Sequence, residues 1–552
     1  LFIRTDILEK KENNINLIEV KSKSYDEQND DFHNKRGGLT TGWLSYLYDV
    51  AFQKYVLSKA YPDFNIKAFL YLADKNSLTS IDGLNQKFFI KKTDERYKII
   101  KKGDTSLEAL GNKILKMVNV DREINEIWNN KDNEKFMNMP FEEYINFLSA
   151  KYKNDEKIIT PLGKKCKSCE FRLDKDKKDK DEKSGFEECW KKVFTKYKNE
   201  SEDTLVYKIW NFRKADELFQ KGIYFISQID ESYFTGKEKD TNIGFSPKER
   251  QRMQYESVAK NIKKDYLDKK GLETEMKTWK YPLHMIDFET SIIAIPFNKN
   301  RRPYETIAFQ FSHHTIDKNG NIKHAGQYIN TAPGYFPNFD FLRELKNQLD
   351  KDNGTVFRYA AHEKTVLCSI QRELRDIGKD EFPDKDEYID WITDITVENR
   401  AMVDMCQAVK NYYYSPRMGG SNSLKVVLPT ILNESAYIQK KYSKPIYGTK
   451  EILSLNYEKM IWITKDGKEV KDPYKLMPEL KYDLTEEESE KLFQNTKIAE
   501  GGAAMVAYNQ MQFTEMSQTE RDKLAHSLLK YCELDTFAMV LLWEFWNDKV
   551  NS

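Results

Sequence analysis

The sequence predicts a mixed α/β protein built from several domains, and three observations carry that expectation. The chain has 552 residues, enough for about three to five domains at roughly 100–200 residues each. Apolar residues make up 39% and aromatics 13%, which excludes a disordered chain and a coiled coil. Strand-like and helix-like patterns alternate, as β-β-α-β at the start and again beyond Trp279.

Leu1 to Glu9 reads as a strand, Lys10 to Asn16 as a polar turn, and Leu17 to Ser22 as a second strand, together a hairpin. Leu44, Leu47, Ala51 and Tyr55 fall at helical spacing within Leu39 to Ala60, and Ile66 to Leu72 is strand-like again. Residues 104–155 read as mostly helical. The run Asp174 to Lys183 holds no apolar residue and reads as a solvated loop. Residues 200–270 alternate helical stretches with a short strand at Ile223 to Ser227. Tyr281 to Phe288 reads as a buried strand, Ile307 to His314 as a second and Thr355 to Ala361 as a third. A long helix follows Glu363, another covers Arg400 to Tyr412, and the last runs from Thr519 to Val550. No internal repeat is visible.

No run of about 18 apolar residues occurs, which excludes a transmembrane helix. Lys+Arg is 89 and Asp+Glu is 88, so any nucleic-acid surface would be a local basic patch. The 6 cysteines are too sparse for a disulfide scaffold and nothing in the given sequence reads as a signal peptide, so the expected location is cytoplasmic. Leu1 opens directly in strand-like sequence, and a preceding stretch is expected.

The sharpest motif is Met285-Ile286-Asp287-Phe288-Glu289-Thr290. Two acids one residue apart on a buried strand share a face. Placing both at the end of an apolar strand is costly unless a cation binds them, and Mg²⁺ suits a few carboxylates plus water. The plainer reading is two solvated acids. Tyr531-Cys532-Glu533-Leu534-Asp535 lies in a helix with an apolar face. Tyr531 and Asp535, four apart, are neighbours there and together suit one metal and its water, or else a core tyrosine and a solvated acid. Arg302-Pro303-Tyr304 and Gln310 sit near the second strand as candidates to meet a terminal nucleotide. Gly419 to Lys425 is a turn entering a helix, where backbone N–H groups and Lys425 suit a phosphate or an ordinary capped start. Gly501-Gly502 reads as a close-packing turn.

Asp-x-Glu and Tyr-x-x-x-Asp, about 250 residues apart, resemble the DEDD exonucleases in their DEDDy, DnaQ-like form. The resemblance implies a ribonuclease H-like mixed-sheet domain with a third acid after a strand, at the head of a helix. Glu363, preceded by His362, occupies that place where the family has Asp after Asn, and Asp404 is the second candidate, at the start of the helix lining the substrate groove. The implied chemistry is two-metal phosphodiester hydrolysis, with Asp287, Glu289, Glu363 and Asp535 holding two Mg²⁺ or Mn²⁺ roughly 3.5–4 Å apart. Tyr531 would orient the attacking water.

In the first half, Asp6 is followed by Glu19-Val20-Lys21, with Glu19 and Lys21 on one strand face. Two carboxylates and a lysine across a hairpin can bind Mg²⁺ and stabilise a pentavalent phosphate, although a lone Glu-x-Lys is usually a surface ion pair. With Gln53 and Tyr55 on the next helix, the set resembles the RecB-like PD-(D/E)xK nucleases, a restriction-endonuclease-like fold. The family separates its Gln and Tyr by three residues, whereas here one residue separates them, so Gln53 carries over more firmly. Cys166-Lys167-Ser168-Cys169 and Cys189 extend the likeness to RecB-like nucleases with an iron–sulfur cluster. Such a 4Fe–4S cluster needs a fourth ligand, expected upstream; a zinc site of three Cys and a His is the competitor. Cys368, Cys406 and Cys532 read as core residues.

The whole order resembles a bacterial family of unassigned function that joins a CRISPR-associated RecB-like nuclease module to a DEDD-type exonuclease module. The likeness covers about residues 1–190 and 280–550. The expected domains are 1–155 (RecB-like nuclease), 156–195 (three-Cys metal or cluster segment), 196–278 (mainly helical connector) and 279–552 (DEDDy exonuclease). The expected function is a metal-dependent nuclease, a 3′–5′ exonuclease on DNA with free or single-stranded ends. The alternatives are a nucleic-acid-binding scaffold with a degenerate first nuclease, or an RNA-processing exonuclease.

Overall fold

The protein is described by a computed structural model covering residues 2–29, 32–92, 97–130, 136–158, 160–173, 182–235, 244–477 and 502–552. Most of the expected charged loop (174–181) and Gly501 lie outside the described residues. The architecture is mixed α/β, and among the described residues no helix is long and apolar enough to cross a membrane.

Strands β1 (Ile7–Lys11) and β2 (Asn14–Tyr25) form the expected hairpin, with its turn at Glu12 and Asn13. Helix α1 (Thr41–Ala60) crosses over to β3 (Asn65–Asp74), which pairs parallel to β2, as parallel neighbours require. Trp43, Leu47, Val50 and Leu57 of α1 pack on Leu17, Ala68, Leu70 and Leu72 of the sheet.

The region expected to be mostly helical differs. A hairpin of β4 (Phe88–Lys92) and β5 (Tyr97–Lys101) precedes it, and β6 (Leu115–Asn119) completes the sheet β1-β2-β3-β6. Five residues are too few to show a period; pairing with β3 makes β6 a strand. Helices α2 (Asp121–Asn129) and α3 (Phe141–Lys153) do follow.

The middle holds α4 (Gly185–Lys196), α5 (Ala215–Gln220) and α6 (Pro247–Ala259) around Trp190 and Phe225. Ile223 to Ser227 is not a strand. Gln228 Oε1 accepts from the Tyr224 and Phe225 N–H groups, so a side chain takes bonds that a ladder would use. Strand β7 (Tyr266–Leu267) and α7 (Lys269–Met276) lead into the last region.

There β8 (Leu283–Ile292), β9 (Thr306–Ile316) and β10 (Ile322–Ile329) run antiparallel in turn. Helix α8 (Asn338–Leu349) leads to β11 (Val356–Arg358), parallel to β8. Helices α9 (His362–Asp376) and α10 (Lys385–Val397) lead to β12 (Val403–Asp404), parallel to β11. The sheet order is β10-β9-β8-β11-β12. Strand β10 was not expected, because His324, Gly326 and Gln327 break its apolar pattern; the buried His324 is bonded to Ser312. The helix expected over Arg400 to Tyr412 divides into β12 and α11 (Met405–Tyr412). Helices α12 (Leu424–Glu434) and α13 (Ala436–Tyr442) follow, then α14 (Gly502–Phe513) and the long α15 (Gln518–Asn551), buried beneath the sheet.

The two halves are stitched by backbone. Thr79 N–H donates to Arg301 O at 3.0 Å, Asn300 N–H to Thr79 O at 2.8 Å and Gly83 N–H to Phe297 O at 2.7 Å.

Candidate functional site

Strand β8 is buried on both faces: Ile286 and Phe288 pack on one, and Leu283 and Met285 pack on the other, which Asp287 and Glu289 continue. Its register against β9 slips between Glu289 and Thr290, a bulge that re-aims side chains at the strand end. Helix α15 packs against β8 and β9 and supplies Asp535. Oxygens of Asp287, Glu289 and Asp535 lie within 4.8 Å of one another, and among the described residues this is the one such group of three or more Asp, Glu, His or Cys donors. Glu363 enters at the head of α9, buried, with Oε2 lacking a hydrogen-bond partner among the described residues.

The electrostatics follow from that crowding. Burial, then the neighbouring carboxylates, push Asp287 and Glu289 well above the carboxylate range. Burial pushes Glu363 up to about 8 and Asp535 up to about 6, the latter opposed by the Tyr474 hydroxyl and Lys425. Buried acids this close cannot all stay ionised without a cation. A hard-oxygen donor set with an orphaned carboxylate oxygen beside it fits Mg²⁺ or Mn²⁺.

The remaining parts surround these acids. Lys425, in the first turn of α12, sits 5.2 Å over the Tyr531 ring and 5.6 Å over the Tyr474 ring. The Tyr474 hydroxyl donates to Asp535 Oδ1. Cys532, expected as plain core, is buried but also places its thiol 3.4 Å from Asp287 Oδ2.

Two expected substrate contacts are corrected. Gln310 is fully buried and its Nε2 donates to Leu528 O at 2.8 Å, so it ties β9 to α15 and does not face a nucleotide. Asp404 caps α11: its carboxylate accepts from the Gln407 and Ala360 N–H groups and pairs with Arg358 at 3.2 Å. That anchors the turn before Glu363 rather than offering a ligand. Arg302 and Tyr304 line a cavity between the two halves.

In the first half, Glu19 Oε1 meets Lys21 Nζ at 2.7 Å and Gln53 Nε2 donates to Glu19 Oε2 at 3.0 Å. Sequence reasoning missed Asp49, which bonds Lys21 Nζ and Gln53 Nε2, both at 3.0 Å. Its spacing of four from Gln53 on an expected helix was the available signal. Strand β2 also bulges here, its register against β3 slipping between Val20 and Ser24. Asp6 Oδ2 accepts from the Val20 N–H at 2.9 Å, a bond to backbone. Tyr55 turns away to Glu142.

Cys166 and Cys169 are half-buried and Cys189 is exposed on α4. Among the described residues, no group of three donor atoms within 4.8 Å of one another includes these sulfurs.

Two buried histidine groups lie in strands β8 and β9, one on each face of the sheet. His284 bonds Asp352 at 2.8 Å and His313 at 2.9 Å, while His314 bonds Tyr447 at 3.0 Å. Burial pushes His313 down to about 3 and His314 well below the usual range. Both are neutral when folded, whereas an unfolded histidine takes a proton below about 6.5. Their contribution is therefore complete above pH 6.5 and is lost as pH falls toward 3. We expect the melting temperature to drop over that window, and His313→Gln to flatten the drop.

The fold and site thus define an α/β protein with a buried carboxylate centre whose donors could hold a metal ion. Residues 284–423 match the model of a family described as a domain of unknown function, DUF2779. That span contains Asp287, Glu289 and Glu363; Asp535 lies beyond it. Comparison with curated proteins and with solved structures returns no match.

Proposed function

We propose that the chain is a metal-dependent nuclease whose second half removes nucleotides from the 3′ ends of DNA. The carrying observation is the convergence of Asp287 and Glu289 from β8 with Asp535 from α15. The mixed five-stranded sheet, with each parallel strand reached through helices, supports the ribonuclease H-like DEDDy reading. Asp287, Glu289, Asp535 and Glu363 would hold divalent cations, which when bound activate water and stabilise the leaving oxygen. Tyr531 orients the attacking water from one turn before Asp535. Lys425, over the site, takes a substrate phosphate and offsets the negative charge of the acids. The chain provides no covalent nucleophile in this scheme.

The first half reads as a RecB-like module in which Glu19, Lys21, Asp49 and Gln53 form one hydrogen-bonded set. A binding role for this half is the second reading, favoured by the commitment of Asp6 to the Val20 backbone. The test is 5′-labelled single-stranded DNA with Mg²⁺ or Mn²⁺, run with wild type, Lys21→Ala and Asp49→Ala. A ladder shortening from the 3′ end in all three, without internal cuts, makes the first half a binding module. Internal cuts that fall more than about tenfold in both variants make it a second nuclease. No cleavage of DNA or RNA by wild type would refute the nuclease reading.

A further inference from the structure

We infer that the cavity between the two halves holds a run of single-stranded nucleic acid, with phosphates on Lys75 and Arg372 and a base against Tyr304, so that one strand connects the two sites. The inference rests on the nuclease reading above. The cavity is about 650 Å³, within the usual range for ligand pockets, and both halves line it.

Each candidate site is joined to this cavity along its own backbone. Strand β2 carries Glu19 and Lys21 and then runs into Ser22, Lys23 and Ser24 of the lining. Strand β8 carries Asp287 and Glu289 and then reaches the lining at Ile292. At roughly 3.3 Å per residue, Lys23 lies no more than about 13 Å along the strand from Glu19, and Ile292 no more than about 10 Å from Glu289. Helix α9 starts at the Glu363 end and adds Ser369, Arg372 and Asp376 to the wall.

The lining has the chemistry a single strand needs. Lys75 and Arg372 are exposed and make no ion pair within 4.0 Å among the described residues; Lys75 lies near Asp26, and Arg372 Nε donates to Cys368 O at 3.4 Å. The acids on the wall share two arginines: Arg301 pairs with Glu373 at 2.5 Å and also with Glu381, and Arg302 pairs with Glu305 and Asp376 at 3.5 and 3.2 Å. By formal charge the lining sets Lys23, Lys75, Arg302 and Arg372 against Glu305, Glu373 and Asp376, an excess of one cation that a phosphate backbone would neutralise. Lys23 Nζ sits 4.4 Å over the Trp43 ring and 5.3 Å over Tyr46. Tyr304 reaches across from the other half, held at a φ of 62°, a conformation costly for a tyrosine. Its hydroxyl meets Ser22 and lies near Tyr46, and its half-buried ring, in the lining, offers a base a stacking face.

The test is binding of fluorescein-labelled dT10 to the full chain, with Ca²⁺ in place of Mg²⁺, for wild type, Lys75→Glu and Arg372→Glu. The alanine variants at the same exposed positions serve as controls for folding. We expect each charge reversal to weaken binding at least tenfold, and each alanine variant to lower the salt-dependence slope by about 0.7. With Mg²⁺, KM for dT10 should rise at unchanged kcat, while hydrolysis of the dinucleotide pTpT stays as in wild type. Equal binding by wild type and variants, or no binding by wild type, would overturn the connecting path even if 3′ shortening is intact. Binding that depends on Lys75 and Arg372 without any Mg²⁺-dependent cleavage would keep the path and refute the nuclease reading instead.

Discussion

Asp287→Asn is expected to lose 3′-end degradation by more than about 100-fold and, without metal at pH 8, to melt higher than wild type. The loss follows because removing a direct ligand should exceed the 10–100-fold cost of disturbing a residue that only orients one. The gain follows from the same crowding. Asp287 is pushed well above the carboxylate range by burial and by Asp535, Glu289 and Glu363. An asparagine keeps the shape and the bond to Cys532 while removing one repelling charge. Relief of about 1–2 kcal/mol would raise the melting temperature by roughly 2–8 °C. Gel assays and calorimetry on one preparation read both directions. An inactive variant that melts lower would mean the acids brace the fold, and full activity would refute the metal assignment.

Mg²⁺ should raise the melting temperature of wild type, and the rise should grow with pH. The metal-free folded protein binds protons at Glu363 up to about pH 8 and at Asp535 up to about pH 6. The unfolded carboxyls release theirs near 4.5 and 3.8. The folded pKa values are raised, so this contribution is complete below about pH 4 and is lost as pH climbs through 6 to 8. A cation binds the ionised form, so it competes with protons at low pH and restores stability at high pH. At 100 times its Kd a ligand adds about 2.7 kcal/mol, or about 5–10 °C here, at pH 8. Little shift is expected at pH 5, and none at any pH in Asp287→Asn/Asp535→Asn. A shift that does not change with pH would place the cation elsewhere.

The local patterns were legible where one face of an element is apolar. The hairpin, α1, β3, β8, β9 and α15 all follow from such patterning, as does the pairing of Asp287 with Glu289. Where polar side chains satisfy the backbone or one another, the pattern failed. Gln228 dissolves the expected strand at Ile223 to Ser227, and His324 hides β10. Gln310 looked like a surface residue because nothing in its neighbours announces that Leu528, 218 positions away, takes its amide.

What the sequence by itself determined is the α/β class and the residue types of two acidic sites, because strand and helix periods place side chains on faces without outside help. Only the tertiary structure decided that Asp535 reaches Asp287, that Asp49 joins Glu19, that Tyr474 caps Asp535, and that residues of both halves line a common cavity. Those contacts join residues from 30 to about 250 positions apart, and packing selects them through shape and charge that no local window contains.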